Sequence, residues 1–127
     1  MPTLDIDDRS VTVPEGTRLV QAIRGAGIEI GHRCGGKARC TTCRVEVHAG
    51  GSAMMTRAEF VKLRGAGLLG EVRLSCQMRV EDDMRLSVLM TKASEGWPDT
   101  GPVPADVVEP EAEWLDPDVL ARQTPPA

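Results

Sequence analysis

The chain has 127 residues, 41% hydrophobic and 27% charged, with a formal net charge of −4. That length fits one small domain with an attached segment, and no stretch is long and apolar enough to cross a bilayer, so no membrane insertion is expected. Phe60, Trp97 and Trp114 are the sole aromatics; the core must come from Val, Ile, Leu and Met, and an acidic chain without an aromatic–basic surface speaks against a nucleic-acid partner.

In chain order, residues 2–8 and 10–13 read as a hairpin. Leu4 and Ile6, then Val11 and Val13, alternate with polar neighbours around a turn at Asp8-Arg9-Ser10. Thr17 is placed to cap a helix ending at Arg24, with Leu19, Val20 and Ile23 on its inner face. Residues 31–43 show neither strand nor helix period and read as a loop. Arg44 to His48 reads as a strand, with Val45 and Val47 on one face. Thr56-Arg57-Ala58-Glu59 fits a capping box, in which Thr caps the N3 amide and Glu reaches back to the cap amide. Phe60 and Leu63 give the following helix its apolar face, and Gly65 and Gly67 stop it. Residues 72–80 and 84–90 read as strands joined by a Glu81-Asp82-Asp83 turn. Five strands and two helices without regular alternation suggest an α+β roll with a mixed sheet.

Charge and proline divide the chain near residue 92. Residues 1–92 carry 14 basic and 11 acidic residues, whereas 93–127 carry one basic residue, eight acidic ones and seven of the nine prolines. The stretch 93–107 reads as a solvated acidic extension. Residues 114–122 carry more information, because Trp114 and Leu115 precede Asp116-Pro117, a cap and first-turn pair, and then Val119 and Leu120. This segment is expected to dock, on a partner or back onto the basic body.

The chemistry lies in four cysteines, spaced Cys34-x5-Cys40-x2-Cys43 and then 32 residues to Cys76. The N-terminal Met1-Pro2-Thr3-Leu4-Asp5 has no basic-then-apolar leader, so the expected location is cytoplasmic, where thiols stay reduced and such cysteines serve as ligands. A [2Fe–2S] rhomb needs two ligands on each iron, which three loop cysteines and one remote cysteine at a strand edge can supply. Gly35 and Gly36 allow positive φ and close backbone approach, and Thr41 and Thr42 offer hydroxyl donors. Structural zinc is the rival for the same thiols, but zinc modules usually pair two short Cys-x2–4-Cys knuckles and this chain has one. His32 reads as a hydrogen-bonder that positions the loop, and His48 as a surface residue at a strand end.

Cys34-Gly35-Gly36-Lys37-Ala38-Arg39-Cys40-Thr41-Thr42-Cys43 and Arg73-Leu74-Ser75-Cys76-Gln77 resemble the plant- and vertebrate-type [2Fe–2S] ferredoxins. The resemblance covers residues 1–92. It implies a β-grasp ferredoxin-type roll, one [2Fe–2S] cluster on Cys34, Cys40, Cys43 and Cys76, and one-electron transfer between a ferredoxin reductase and an acceptor such as an oxygenase or other reductive enzyme. It further implies that Cys34 and Cys40 hold one iron and Cys43 and Cys76 the other. The five-residue gap between the first two cysteines looks closer to the vertebrate and bacterial hydroxylase-donor branch. Members of that branch often present an acidic helix; here the helix carries Arg57, Lys62 and Arg64 against Glu59, and the ligand loop adds Arg33, Lys37, Arg39 and Arg44. The expected partner therefore has an acidic face, and the expected reduction potential lies above the roughly −400 mV of plant-type ferredoxins. A redox-sensing module is the alternative function. No catalytic acid, base or nucleophile is evident, so the chain is read as a carrier rather than an enzyme.

Overall fold

The computed structural model describes residues 1–38, 40–109 and 112–123. Its centre is a mixed sheet in the order β2-β1-β6-β3-β5, where β1 is Thr3–Ile6, β2 Arg9–Thr12, β3 Arg44–Gly50, β5 Arg73–Leu74 and β6 Met84–Val88. β1 runs parallel to β6, and the other neighbours are antiparallel. The inward residues Leu4, Ile6, Val45, Leu74 and Leu86 meet Leu19, Val20 and Ile23 of helix α1, Leu19–Gly25, in one buried core. Burial of each such side chain contributes about 1.5–3 kcal/mol, and ten or so of them hold the roll closed.

Local chemistry moves several predicted boundaries. The hairpin turns at Asp7-Asp8 rather than at Asp8-Arg9-Ser10, because Asp7 adopts φ 54° and β2 starts at Arg9. Aspartate tolerates that left-handed backbone better than most residues. Thr17 does not cap α1: its hydroxyl donates to the Pro14 carbonyl at 2.6 Å, and the cap position falls to Arg18, which makes no side-chain cap bond. The segment 72–80 is not one strand. β5 stops at Leu74, and a 3₁₀ turn takes over at Ser75–Gln77. Ser75 causes the break, since both its amide (3.2 Å) and its hydroxyl (2.8 Å) donate to the Cys43 carbonyl.

Helix α2, Arg57–Ala66, starts as expected, with the Thr56 hydroxyl accepting from the Glu59 amide at 3.1 Å, and ends at Gly67 with φ 72°. The other half of the capping box does not form. Glu59 is fully buried, and its carboxylate accepts from Arg73 Nε at 2.7 Å and from the Leu74 amide at 3.0 Å. A buried carboxylate goes to the strongest donors within reach, and a guanidinium outcompetes a cap amide.

Within residues 93–107, read as a solvated extension, the carbonyls of Thr100, Pro102, Pro104 and Ala105 accept hydrogen bonds from the body, so this stretch is held against it. The tail holds two helices beyond the two expected: α3, Lys92–Glu95, and α4, Pro117–Gln123. Strand β7, Trp114–Leu115, pairs with β4, Met55–Thr56, in a separate two-stranded sheet. Leu120 of α4 is fully buried in the core. Residues 100–109 lie beside the ligand loop and the Cys76 turn, making hydrogen bonds from Thr100 to Glu109.

Candidate metal centre

Three segments meet where the cysteines lie. The loop 31–43 follows α1, the turn Ser75–Gln77 follows β5, and the extended tail runs beside both. The loop is closed by backbone bonds, Gly35 N–H to the His32 carbonyl at 2.8 Å and Arg44 N–H to the Thr41 carbonyl at 3.3 Å. Gly35 and Gly36 both take positive φ, 74° and 81°, and Ala38 follows at 57°.

Cys43 and Cys76 are buried, at 1% and 0% exposure, while Cys34 and Cys40 are half-exposed. None of the four forms a disulfide. The Cys43 and Cys76 thiols share a hydrogen bond that, together with burial, pushes Cys43 well above the ordinary thiol range. For Cys76 that same bond works downward against burial, joined by the Gln77 amide 3.7 Å away, the Ala38 N–H and the positive charge of Arg18. Cys40 lies close enough to Cys43 for its charge to be felt there. Thr42 Oγ1 sits 3.1 Å from Cys40 Sγ and accepts from the Arg33 amide at 3.1 Å, whereas Thr41 is taken up by Arg44.

The predicted accessory residues fall in varied places. His32 is buried, its Nδ1 donating to the Pro102 carbonyl at 2.8 Å, and burial lowers its pKa against that bond. His48 lies on β3, 2.8 Å from the Ser87 hydroxyl. Lys37 is exposed, Arg33 stacks over the Trp97 ring at 5.6 Å, and Arg39 lies outside the described residues. Sequence reasoning missed Arg18, Ser75 and Gln77. Nothing local marks Arg18 as buried, because its three acceptors come from distant parts of the chain. Ser75 and Gln77 flank Cys76, and that adjacency was the one signal that could have found them.

The model of the 2Fe–2S iron–sulfur cluster binding domain matches residues 3–81. The chain belongs to this family. Among solved structures, the ISC-like [2Fe–2S] ferredoxin FdxB of Pseudomonas putida is similar at 27% identity and TM-score 0.62, over 70% of this chain and 93% of that one. One of the subunits of the Na⁺-translocating NADH-quinone reductase is similar at 36% identity over 83 residues in Neisseria gonorrhoeae and at 35% over 85 residues in Idiomarina loihiensis. These matches cover 65% and 66% of this chain but 20% of each relative, so the chain spans about a fifth of the length of these curated relatives.

The ferredoxin domain binds one [2Fe–2S] cluster, and the donor set fits it. Among the described residues no three His, Cys, Asp or Glu side chains converge on one point. A two-iron rhomb asks instead for two pairs of thiolates, and the Cys43–Cys76 contact supplies the geometry of one pair. The Ala38 N–H, the Gln77 amide and the Thr42 hydroxyl supply donors of the kind that sulfur atoms accept. Among the described residues no helix is long and apolar enough to cross a membrane.

Proposed function

We propose that the chain is a one-electron carrier whose single [2Fe–2S] cluster is held by Cys34, Cys40, Cys43 and Cys76, passing electrons from a reductase to an acceptor enzyme. One observation carries the ligand assignment: Ser75 binds the Cys43 carbonyl and thereby draws the remote Cys76 onto the loop cysteine Cys43. That contact supports Cys43 and Cys76 as the ligands of one iron and leaves Cys34 and Cys40 for the other. When bound, such a cluster accepts and releases one electron without breaking a bond. The residues of this chain have the remaining tasks. Ser75 and Glu59 fix the turn that carries Cys76, the glycine-rich loop brings the Ala38 N–H to Cys76, and the half-exposed Cys34 and Cys40 leave one edge open to a partner.

The charge pattern supports an acidic partner face. Glu59, the one acid of α2, is buried on Arg73, so its charge does not offset Arg57 and Lys62 on the outside of that helix. In this reading the ferredoxin-type domain is residues 1–92, a hydroxylase-donor-like carrier of the cytoplasm, and residues 93–127 are its attached tail. A redox-sensing module is the second reading, favoured by the bonds that tie the tail to the ligand loop directly at His32 and, by way of Arg18, at Gly36.

The anaerobically purified protein is expected to contain two irons and two labile sulfides per chain and to give an S = 1/2 EPR signal on reduction. Alanine at any one of the four cysteines should remove the labile sulfide. A colourless protein holding zinc, or full sulfide content in two or more of those variants, refutes the assignment. Lys37→Glu with Lys62→Glu should slow electron delivery to the true acceptor about tenfold at low salt, and an unchanged rate counts against the acidic-partner reading. The sensor reading predicts that protease protection of residues 97–109 changes between oxidised and reduced protein.

A further inference from the structure

Arg18 is 1% exposed, and it is a cation. Its three hydrogen bonds go to carbonyls from three separate parts of the chain. Nε donates to Cys76 O at 2.8 Å, Nη1 to Ala105 O at 2.6 Å, and Nη2 to Gly36 O. These carbonyls satisfy the donors but do not neutralise the charge, and among the described residues no carboxylate pairs with Arg18. A buried, unneutralised guanidinium is costly by several kcal/mol, so its burial calls for an anion nearby.

Arg18 sits where the two cysteine-bearing segments meet. Cys76 O is its Nε acceptor, and Gly36, whose carbonyl accepts from Nη2, belongs to the loop that carries the other three cysteines. The packing there is tight: a Cβ at Gly36 would lie 2.8 Å from Arg18 Nη2 and 2.9 Å from Pro104 Cβ. The tail seals the far side. Pro104 is buried, and its carbonyl accepts from Gln21 Nε2 at 2.7 Å.

Resting on the four-cysteine assignment above, we propose that Arg18 is a positioning residue for the iron–sulfur centre. It clamps the ligand loop to the Cys76 turn, supplies the buried countercharge for the thiolate-bound cluster, and fastens the tail at Ala105 as the seal that keeps water from that charge. Four thiolates on a [2Fe–2S] unit give an oxidised charge of about −2, one more negative on reduction. A buried cation stabilises the reduced form more than the oxidised one, so Arg18 raises the reduction potential. Arg18 neither gains nor loses an electron or proton.

The test compares full-length wild type, Arg18→Lys, Arg18→Gln and Gln21→Ala, each loaded with its cluster. Potential, rate of cluster loss and protease cleavage within residues 97–109 are measured for each. Arg18→Lys keeps the charge and loses the three-way fork; its potential should match wild type while its cluster is lost about tenfold faster. Arg18→Gln should lose the cluster as fast and also shift the one-electron equilibrium about tenfold toward the oxidised form, 59 mV for one electron. Gln21→Ala lies away from the cysteines and leaves Arg18 in place; it should speed tail cleavage and cluster loss about threefold.

Wild-type potential and lifetime in both Arg18 variants overturn the proposal, as does an equal fall in potential for Lys and Gln. If Arg18→Gln does not fold, Arg18→Lys and Gln21→Ala decide: unchanged cluster lifetime in both overturns it. Wild type without two irons and two sulfides refutes the ligand assignment instead, so the two failures are distinguishable.

Discussion

Replacing Glu59 by alanine would remove the acceptor that joins α2 to the turn carrying Cys76. Glu59 is 0% exposed and accepts from Arg73 Nε at 2.7 Å, Arg73 Nη2 at 3.0 Å and the Leu74 amide at 3.0 Å. Breaking one side of a buried ion pair costs about 3–5 kcal/mol. The low end applies here, because Arg73 keeps the Ser52 and Met54 carbonyls as acceptors and its side chain is 14% exposed. The buried Leu74 N–H, left without an acceptor, accounts for about 1–3 kcal/mol of that loss. A loss of about 3 kcal/mol in a chain of this size lowers the melting temperature by about 12 °C. Calorimetry of the loaded protein at one fixed scan rate reads it, since cluster loss makes the transition irreversible. Glu59→Gln, which still offers one oxygen, should fall about half as far. Because Leu74 leads directly into the Ser75–Gln77 turn, Glu59→Ala should also shed its cluster faster. A drop of less than about 4 °C, or Gln as damaging as Ala, would show that the carboxylate does not hold this junction.

Two glycines give opposite expectations. A Cβ at Gly50 would lie 1.9 Å from the Asp83 carbonyl oxygen, and the residue has φ 72°, so Gly50→Ala should cost about 3 kcal/mol and disturb the β3–β6 register. Gly65, inside α2 with open space around it, should gain about 0.5–1 kcal/mol as alanine; paired thermal melts check both signs. Leu120→Ala should cost about 3 kcal/mol locally, seen as faster hydrogen exchange in β7 and α4 with less change in the central sheet.

The local patterns were legible in the sequence. The alternation in 3–6 and 44–47, the apolar stripe of α1, the Thr56 cap and the Gly67 stop follow from spacing and side-chain chemistry within a few residues. The loop character of 31–43 was readable for the same reason. Long-range competition was not. Glu59 and Thr17 are credible local caps, and each gave its oxygen to a different partner once the chain had folded. Strand 72–80 broke because Ser75 found a carbonyl 32 residues away. Residues 93–107 looked like a solvated acidic extension by composition, yet His32 donates to Pro102 O, Gln21 to Pro104 O and Arg18 to Ala105 O, bonds that composition does not encode.

Charge shows the division most sharply. From the sequence, the cations that matter to the cysteines are those beside them, Arg33, Lys37, Arg39 and Arg44. In the fold, Arg33 lies on Trp97 and Arg44 on Thr41, and the cation buried against Cys76 is Arg18, 58 residues earlier. The sequence by itself determined which atoms are available as ligands, because that depends on residue type and spacing. Tertiary structure alone decided which charge is desolvated beside them, because burial needs acceptors from the ligand loop, the Cys76 turn and the tail at one place.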